Sequence, residues 1–247
     1  MNWKRIAGAA CAALIASIAP IAATEVRAQS TEPTEETLRF YCEPNITDGF
    51  ARCNLSTGDN YLGYLRAGRP DGRGVYVYAD GNRYEGEWRN GLPHGSGRFV
   101  FTDDSRYEGD FEDGAIVFGS AIYANGDRYT GTFQRVQYVG TDIISSQPSG
   151  TGALIFANGN RYDGEFFSGD PFGLGTFTHT TGTTCSGYFL NSNFDSHEAN
   201  CTYSNGSAYR GELRQARPHG TGTMTLPNGT QISGGFRDGQ PVSFSGY

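Results

Sequence analysis

The stretch YEGEWRNGLPHGSGRFVFTDDSR, residues 84–106, contains the pattern that decides how this chain folds. Its first five residues alternate aromatic, charged, glycine, charged and aromatic. Successive side chains of a β-strand point to opposite faces, so Tyr84, Gly86 and Trp88 are expected to share one face. The start of the stretch therefore predicts a strand with two rings on one side and a bare backbone position between them.

The second half of the same stretch predicts a return strand. A loop with three glycines, Gly91, Gly95 and Gly97, precedes the aromatic and β-branched run 98–101. Such a run is typical of a strand, and the polar residues 102–105 that follow it are typical of a turn. One stretch of this kind therefore predicts one β-hairpin.

The same unit recurs about every 23 residues, which makes the chain a repeat protein. Units start at Tyr61, Tyr84, Tyr107, Tyr129, Tyr162, Cys185, Tyr209 and Ile232. Two residues after each start stands a glycine: Gly63, Gly86, Gly109, Gly131, Gly164, Gly187, Gly211 and Gly234. Two residues further on stands a large apolar residue: Leu65, Trp88, Phe111, Phe133, Phe166, Phe189, Leu213 and Phe236. Asn-Gly and Asp-Gly pairs such as Asn158-Gly159 predict tight turns between units, at positive φ.

These positions predict an all-β fold, an elongated single-layer antiparallel sheet of tandem hairpins. A glycine inside a strand indicates that something approaches the backbone closely, and we expect rings of neighbouring units to lie there. The spacing Tyr-x-Gly-x-aromatic, then Gly, Gly-x-Gly and Asp/Asn-Gly, resembles the MORN repeat (membrane occupation and recognition nexus) over residues 61–247. The resemblance implies scaffolding, lipid contact or protein contact, and it implies no single activity.

The first 60 residues do not follow the repeat. Residues 1–28 have a basic start and an apolar, alanine-rich run, which predicts a secretory signal peptide and so a periplasmic or extracellular protein. An uncleaved anchor helix is the alternative. Residues 29–37 are polar and acidic and predict a disordered linker. Residues 38–60 are interpreted as an N-terminal cap with a cysteine pair, or as a degenerate repeat.

The charge of the chain argues against nucleic acid as a partner. The leader holds three of the 19 basic and one of the 26 acidic residues, which leaves 16 and 25 and a formal charge of −9. Nucleic-acid affinity depends on cations that neutralise phosphates, and anionic lipid attracts cations in the same way. The composition thus favours a protein partner, with a glycan or lipid as further possibilities.

Four cysteines remain after the leader, and an even number in an exported chain favours disulfides. The most local pairing is Cys42 with Cys53 and Cys185 with Cys201. In unit six Cys185 replaces the leading tyrosine, and Cys201 matches Phe99 on the return strand. These two are expected to face each other; free thiols are the alternative.

The spacing between Tyr129 and Tyr162 is 33 residues, so about ten extra residues fall within 135–149. Insertions in repeat arrays often carry binding, which makes Tyr138, Ile143 and Ile144 candidate binding residues. A surface loop without function is the equal alternative.

The sequence contains no recognised catalytic or metal-binding pattern. His94 and His219 occupy a repeat position that holds Phe172 in another unit, and His197-Glu198 lacks the second histidine of a zinc-protease motif. The Gly-x-Gly pairs precede strands, whereas a dinucleotide fingerprint requires a helix. We therefore expect no enzyme activity, no cofactor and no metal.

The sequence thus predicts an exported, non-catalytic scaffold or protein-interaction module of the cell envelope. One alternative is a carbohydrate- or peptidoglycan-binding module that uses the repeated aromatic face, since aromatic residues combine apolar area with a polar handle. The other is a membrane-associated accessory subunit of an enzyme.

Overall fold

The computed structural model describes residues 40–137 and 144–242, which form one antiparallel sheet of 18 strands. The strands are β1 (Phe40–Glu43), β2 (Gly49–Leu55), β3 (Asn60–Arg66), β4 (Arg69–Val77), β5 (Arg83–Arg89), β6 (Leu92–Val100), β7 (Arg106–Glu112), β8 (Ala115–Ile122), β9 (Arg128–Gln137), β10 (Ile144–Ile155), β11 (Arg161–Phe167), β12 (Asp170–Thr178), β13 (Thr184–Phe189), β14 (Ser196–Thr202), β15 (Ala208–Arg214), β16 (Arg217–Thr225), β17 (Gln231–Arg237) and β18 (Gln240–Pro241). The expected leader, the linker and the candidate residues Tyr138 and Ile143 lie outside the described residues.

Every strand pairs with the strand that follows it in the chain, from β1 with β2 to β17 with β18. The sheet is therefore a meander, with β1 at one end and β18 at the other. The described ranges contain no helix, and therefore no helix that could cross a membrane. The predicted all-β sheet of hairpins is confirmed.

Two-residue turns close the hairpin in six of the eight units, units four and six being the exceptions. In unit two Arg89 pairs with Leu92, and Asn90 and Gly91 between them have φ of 47° and 85°. Positive φ at both turn residues is the type I′ geometry, whose twist matches that of the flanking strands. The sequence prediction of a longer loop was wrong here: β6 begins at Leu92, and Gly95 and Gly97 lie inside it.

A second kind of turn links one unit to the next along the opposite edge of the sheet. Tyr78 donates its N–H to the carbonyl of Asn82, and Gly81, at φ 90°, donates to the carbonyl of Tyr78. The same two bonds recur in later units, and the predicted positive φ occurs at Gly126, Gly159, Gly206 and Gly229. In unit two, Asp104 takes this position at φ 66° without a glycine.

Side chains of these linking turns bind the backbone of the next turn. The carboxylate of Asp59 accepts from Ala79 N at 2.8 Å, and the amide oxygen of Asn82 accepts from Thr102 N at 3.0 Å. The same contact joins Asp127 to Ala157 N at 2.7 Å and Asn160 to Thr180 N at 3.1 Å. Each hairpin is thus tied to its immediate neighbour, so the array is stabilised locally.

The ten extra residues of unit four lengthen a hairpin. Strands β9 and β10 continue pairing beyond the usual length, with Gln134 opposite Gln147 and Gln137 opposite Ile144. The prediction of a loop insertion over 135–149 was therefore wrong for the paired residues, because β-pairing simply extends the two strands outward. Ile144 begins β10, and the position of its side chain lies outside what is described.

The first hairpin, β1 and β2, continues the sheet into β3 in the register of a repeat. Cys53 lies opposite Tyr61, Ala51 opposite Gly63 and Gly49 opposite Leu65. Asp48 accepts from Ala67 N at 3.0 Å, as Asp71 accepts from Asn90 N one unit later. Residues 40–55 therefore have the geometry of a hairpin of the array.

Candidate functional site

One face of the sheet carries the apolar core, and its central element is a tyrosine that covers two glycines. In five units the leading tyrosine donates its hydroxyl to the carbonyl three residues on: Tyr61 to Tyr64, Tyr84 to Glu87, Tyr129 to Thr132, Tyr162 to Glu165 and Tyr209 to Glu212, at 2.7–3.0 Å. This bond holds the ring flat over the glycine of its own strand and the facing glycine, such as Gly86 and Gly97. The expectation that a neighbouring unit supplies this ring was wrong.

Neighbouring units meet through the apolar residue four positions after each tyrosine. Tyr61 lies edge-on to Trp88 with centroids 5.7 Å apart, and Tyr84 lies edge-on to Phe111 at 5.1 Å. The same contact joins Tyr129 to Phe166 at 4.9 Å and Tyr162 to Phe189 at 5.8 Å. Tyr61, Tyr84, Trp88, Tyr129, Tyr162 and Phe189 are all less than 5% exposed. These positions build the core, and little of them is left for a ligand.

The two cysteine pairs replace the tyrosine arrangement in two hairpins. Cys42 lies opposite Cys53 and Cys185 opposite Cys201, each pair at disulfide distance, which agrees with the predicted facing positions. In both hairpins the glycine that a tyrosine ring would cover is an alanine, Ala51 or Ala199, and both are fully buried. A disulfide leaves room for a Cβ where a ring does not.

A second row of side chains, which the sequence reasoning missed, lies beside this core. It comprises the residue just before each linking turn: Tyr78, Phe101, Tyr123, Phe156, His179, Tyr203 and Leu226, here called the ladder. Each ladder residue is half-buried, and its backbone is fixed by the two turn hydrogen bonds described above. Its signal in the sequence is a large residue two positions after the buried residue of the return strand, as in Phe99-x-Phe101.

Six ladder residues line a trough on the core face, and residues of both turn edges form its sides. Its first cleft, of about 650 Å³, includes Phe101, Tyr123 and Phe156. Its second cleft, of about 1040 Å³, includes Phe156, His179, Tyr203 and Leu226. The clefts share Phe156, so the trough crosses the strands from unit two to unit eight.

Phe194 deepens the floor of the second cleft. It lies in the six-residue connection between β13 and β14, with φ of 60°, and stacks on Phe177 with centroids 4.2 Å apart. The sequence indicated only that unit six had lost its loop glycines. A longer connection allows Phe194 to fold back into the core, where it is 6% exposed.

The two clefts differ in charge. The first is lined by three carboxylates, Asp103, Asp127 and Asp170, and by no basic residue. The second is lined by no acidic residue and by Arg217, which makes no ion pair with any residue in 40–137 or 144–242. Burial raises the pKa of the Tyr203 hydroxyl, which therefore stays neutral in the second cleft at physiological pH. The trough is acidic at one end and basic at the other.

The histidines are not brought together. The Nδ1 atoms of His94 and His219 are buried without a hydrogen-bond partner in the described part of the chain, and that of His219 lies 3.9 Å from a carboxylate oxygen of Asp238. His179 Nδ1 lies 2.8 Å from the Thr181 hydroxyl. Within residues 40–137 and 144–242, no three His, Cys, Asp or Glu side chains are placed to hold a metal.

The opposite face of the sheet carries charged residues and a small apolar patch. Phe167, Phe172, Leu174 and Tyr188 are 38–63% exposed there, and Phe172 lies edge-on to Tyr188 at 5.7 Å. An ion pair between Arg210 and Glu198 lies on the same face, at 2.5 Å. Tyr188 belongs to the same unit as Tyr203 and points to the other side, which makes it a useful reference residue.

A sheet of hairpins in tandem, each paired with the hairpins next to it, defines a β-hairpin repeat protein. The family model of the MORN repeat matches residues 61–83, 84–106, 162–184 and 209–231, and these four stretches are MORN repeats. They indicate a repeat-based protein-interaction module. The other units keep the sheet register and differ at their loops and leading residues, as unit three and unit six show.

Two solved structures are similar to the chain at low identity. One is the SAS-4 (dCPAP) TCP domain of Drosophila melanogaster in complex with a proline-rich motif of Ana2 (dSTIL), at 13% identity and a TM-score of 0.39, covering 86% of this chain and 96% of that one. The other is the TCP10 domain of Danio rerio CPAP in complex with a STIL peptide, at 12% and 0.37, covering 74% and 81%. TM-scores this low carry no argument about function. No curated protein matches the chain significantly.

Proposed function

We propose that this chain is an exported, non-catalytic interaction module of the cell envelope that holds an extended segment of a partner protein in the trough. The observation that carries the proposal is the ladder. Six successive units each contribute one half-buried side chain, mostly aromatic, to two clefts that share Phe156, and exposed aromatic surfaces of this kind are typical of interaction sites. The two disulfide-distance cysteine pairs support an oxidising compartment.

Site-specific crosslinking tests the proposal. A photoreactive phenylalanine analogue replaces Tyr203 in one variant and Tyr188 in another, so that two tyrosines of one unit report on opposite faces. We expect a discrete protein adduct in the envelope fraction from position 203 and none from position 188. Equal adducts from both positions, or none from 203, would refute binding in the trough.

A saccharide-binding module is the second candidate, because the linking-turn side of the second cleft is neutral and polar. Asn158, Asn160, Thr181, Thr183 and Asn205 lie there beside the aromatic floor. Rings with flanking hydrogen-bonding groups also suit sugars. Titration with peptidoglycan fragments separates the candidates, since saturable binding that Tyr203→Ala abolishes would favour the saccharide.

A further inference from the structure

The ladder has a fixed repeat distance. Two strands make one unit, and strands are about 4.8 Å apart, so successive ladder residues should recur about every 9.6 Å across the trough. The six ladder residues from Phe101 to Leu226 therefore span about 48 Å. A ligand that uses the whole trough must present a group at that interval.

Among regular polypeptide conformations, polyproline II fits this interval best. It has three residues per turn and rises about 3.1 Å per residue, so one side of it repeats about every 9.3 Å. Seven residues of an α-helix rise about 10.5 Å, and a strand repeats its facing side chain about every 6.6 Å. Over five intervals the ligand repeat and the ladder repeat differ by about 1.5 Å in total for polyproline II and by about 4.5 Å for an α-helix. An α-helix also has a larger diameter.

The hydrogen-bonding groups along the second cleft favour the same ligand. The amide oxygens of Asn158, Asn160 and Asn205 already accept backbone N–H groups of Asn160, Thr180 and Ser207, at 2.9–3.1 Å. Their N–H₂ groups remain available as donors to a ligand. A polyproline II backbone has free carbonyl acceptors and, at proline, no N–H, so it needs donors only.

The charges of the trough add a polarity. Asp103, Asp127 and Asp170 favour a basic group at the first cleft, and Arg217 favours an acidic group at the second.

We propose that the trough binds a polyproline II segment of a partner protein, with a basic residue at the end that lies in the first cleft and an acidic residue at the end that lies in the second. This proposal rests on the proposed function and specifies its ligand. Prolines or apolar residues at every third position contact the ladder, and the side-chain amides bind the carbonyls between them.

Fluorescence anisotropy with three labelled 15-residue peptides tests the proposal. All three have arginines at one end and glutamates at the other; the segment between them is proline-rich, Gly/Ser or Ala/Leu. We expect the proline-rich peptide to bind at least about tenfold more tightly than the Gly/Ser peptide, because its conformation is already formed. Tyr203→Ala should weaken it at least about fivefold, and Tyr188→Ala should leave it unchanged.

Arg217→Glu tests the polarity. It should weaken binding of the proline-rich peptide and strengthen binding of a version with arginines at both ends. Equal effects on both peptides would overturn the assigned polarity.

The outcomes separate the two proposals. If peptides selected from a random display library bind in a Tyr203-dependent way but lack prolines, or if the Gly/Ser peptide binds as well as the proline-rich one, polyproline II recognition is refuted and the polypeptide-binding function stands. If only saccharides bind in the trough, both fall. Enrichment of prolines among the selected peptides supports both.

Discussion

Replacing Gly97 by alanine should destabilise unit two by about 2–4 kcal/mol. A Cβ at Gly97 would lie 2.6 Å from Cζ and 2.7 Å from Cε2 of Tyr84, so the ring must move. Overpacking of this kind costs about 1–3 kcal/mol, and loss of the 3.0 Å bond from the Tyr84 hydroxyl to Glu87 adds about 1 kcal/mol. Gly97 does not have a positive φ, so the cost comes from contact with the ring.

Urea unfolding followed by Trp88 fluorescence measures this cost. Trp88 is buried, its ring centroid lies 5.0 Å from that of Tyr84, and it is the one tryptophan among the described residues. The control is the same substitution in a Tyr84→Ala background, where the ring is absent and the penalty should fall below about 1 kcal/mol. Ala199, which occupies the matching position in the unit led by Cys185, is the natural example.

An equal penalty in both backgrounds would refute the role of the ring. In that case close approach of the two strands, which brings Gly86 and Gly97 together, would explain the glycine instead.

Three further predictions concern the array as a whole. Burial raises the pKa of Tyr129 and Tyr162 to about 12 from an ordinary value of 10.0. Their contribution to the free energy of unfolding should therefore be fully present below pH 10 and should decrease as the pH rises from 10 to 12, because only the unfolded chain releases these protons in that range. Urea midpoints measured across that range check this, and a flat profile would contradict it. The double substitution Cys185→Ser and Cys201→Ser should raise the rate of amide hydrogen exchange in β13–β15 and leave β3–β6 protected. In the unsubstituted exported protein, non-reducing peptide mapping should find the disulfides Cys42–Cys53 and Cys185–Cys201, and four free thiols there would argue against export. Eighteen strands at about 4.8 Å predict a sheet about 80 Å long before twist shortens it, so small-angle scattering should give an elongated particle; a spherical profile would contradict this.

The sequence predicts the architecture well because one short pattern repeats at constant spacing. Tyr84, Gly86 and Trp88 alternate in character, so their common face could be read without knowledge of the fold. The facing positions of Cys185 and Cys201 followed from the same alignment of units. Local periodicity suffices wherever each hairpin contacts only its neighbours.

The trough was harder to predict because it depends on ladder residues from six units and on Phe194, which folds back from the connection between β13 and β14. Nothing local distinguishes a ladder residue such as Phe101 from a buried one such as Phe99, since both share a strand face. Gly95 and Gly97 looked like loop residues because glycine is common in turns, and only the ring of Tyr84 explains the second one. The candidate residues of the insertion were chosen for their spacing alone, and the structure instead directs attention to the aromatic face.

The meander and the position of its two crosslinks determine how the molecule responds to tension. With β1 and β18 at opposite ends, a force applied through the termini peels the hairpins apart one by one, and does not shear all strands together. Each 23-residue unit would release about 80 Å of chain. The Cys185–Cys201 link, 16 residues apart in sequence, would keep its own loop from extending when unit six detaches. A protein built this way lengthens in steps of one hairpin unit, because each unit detaches separately.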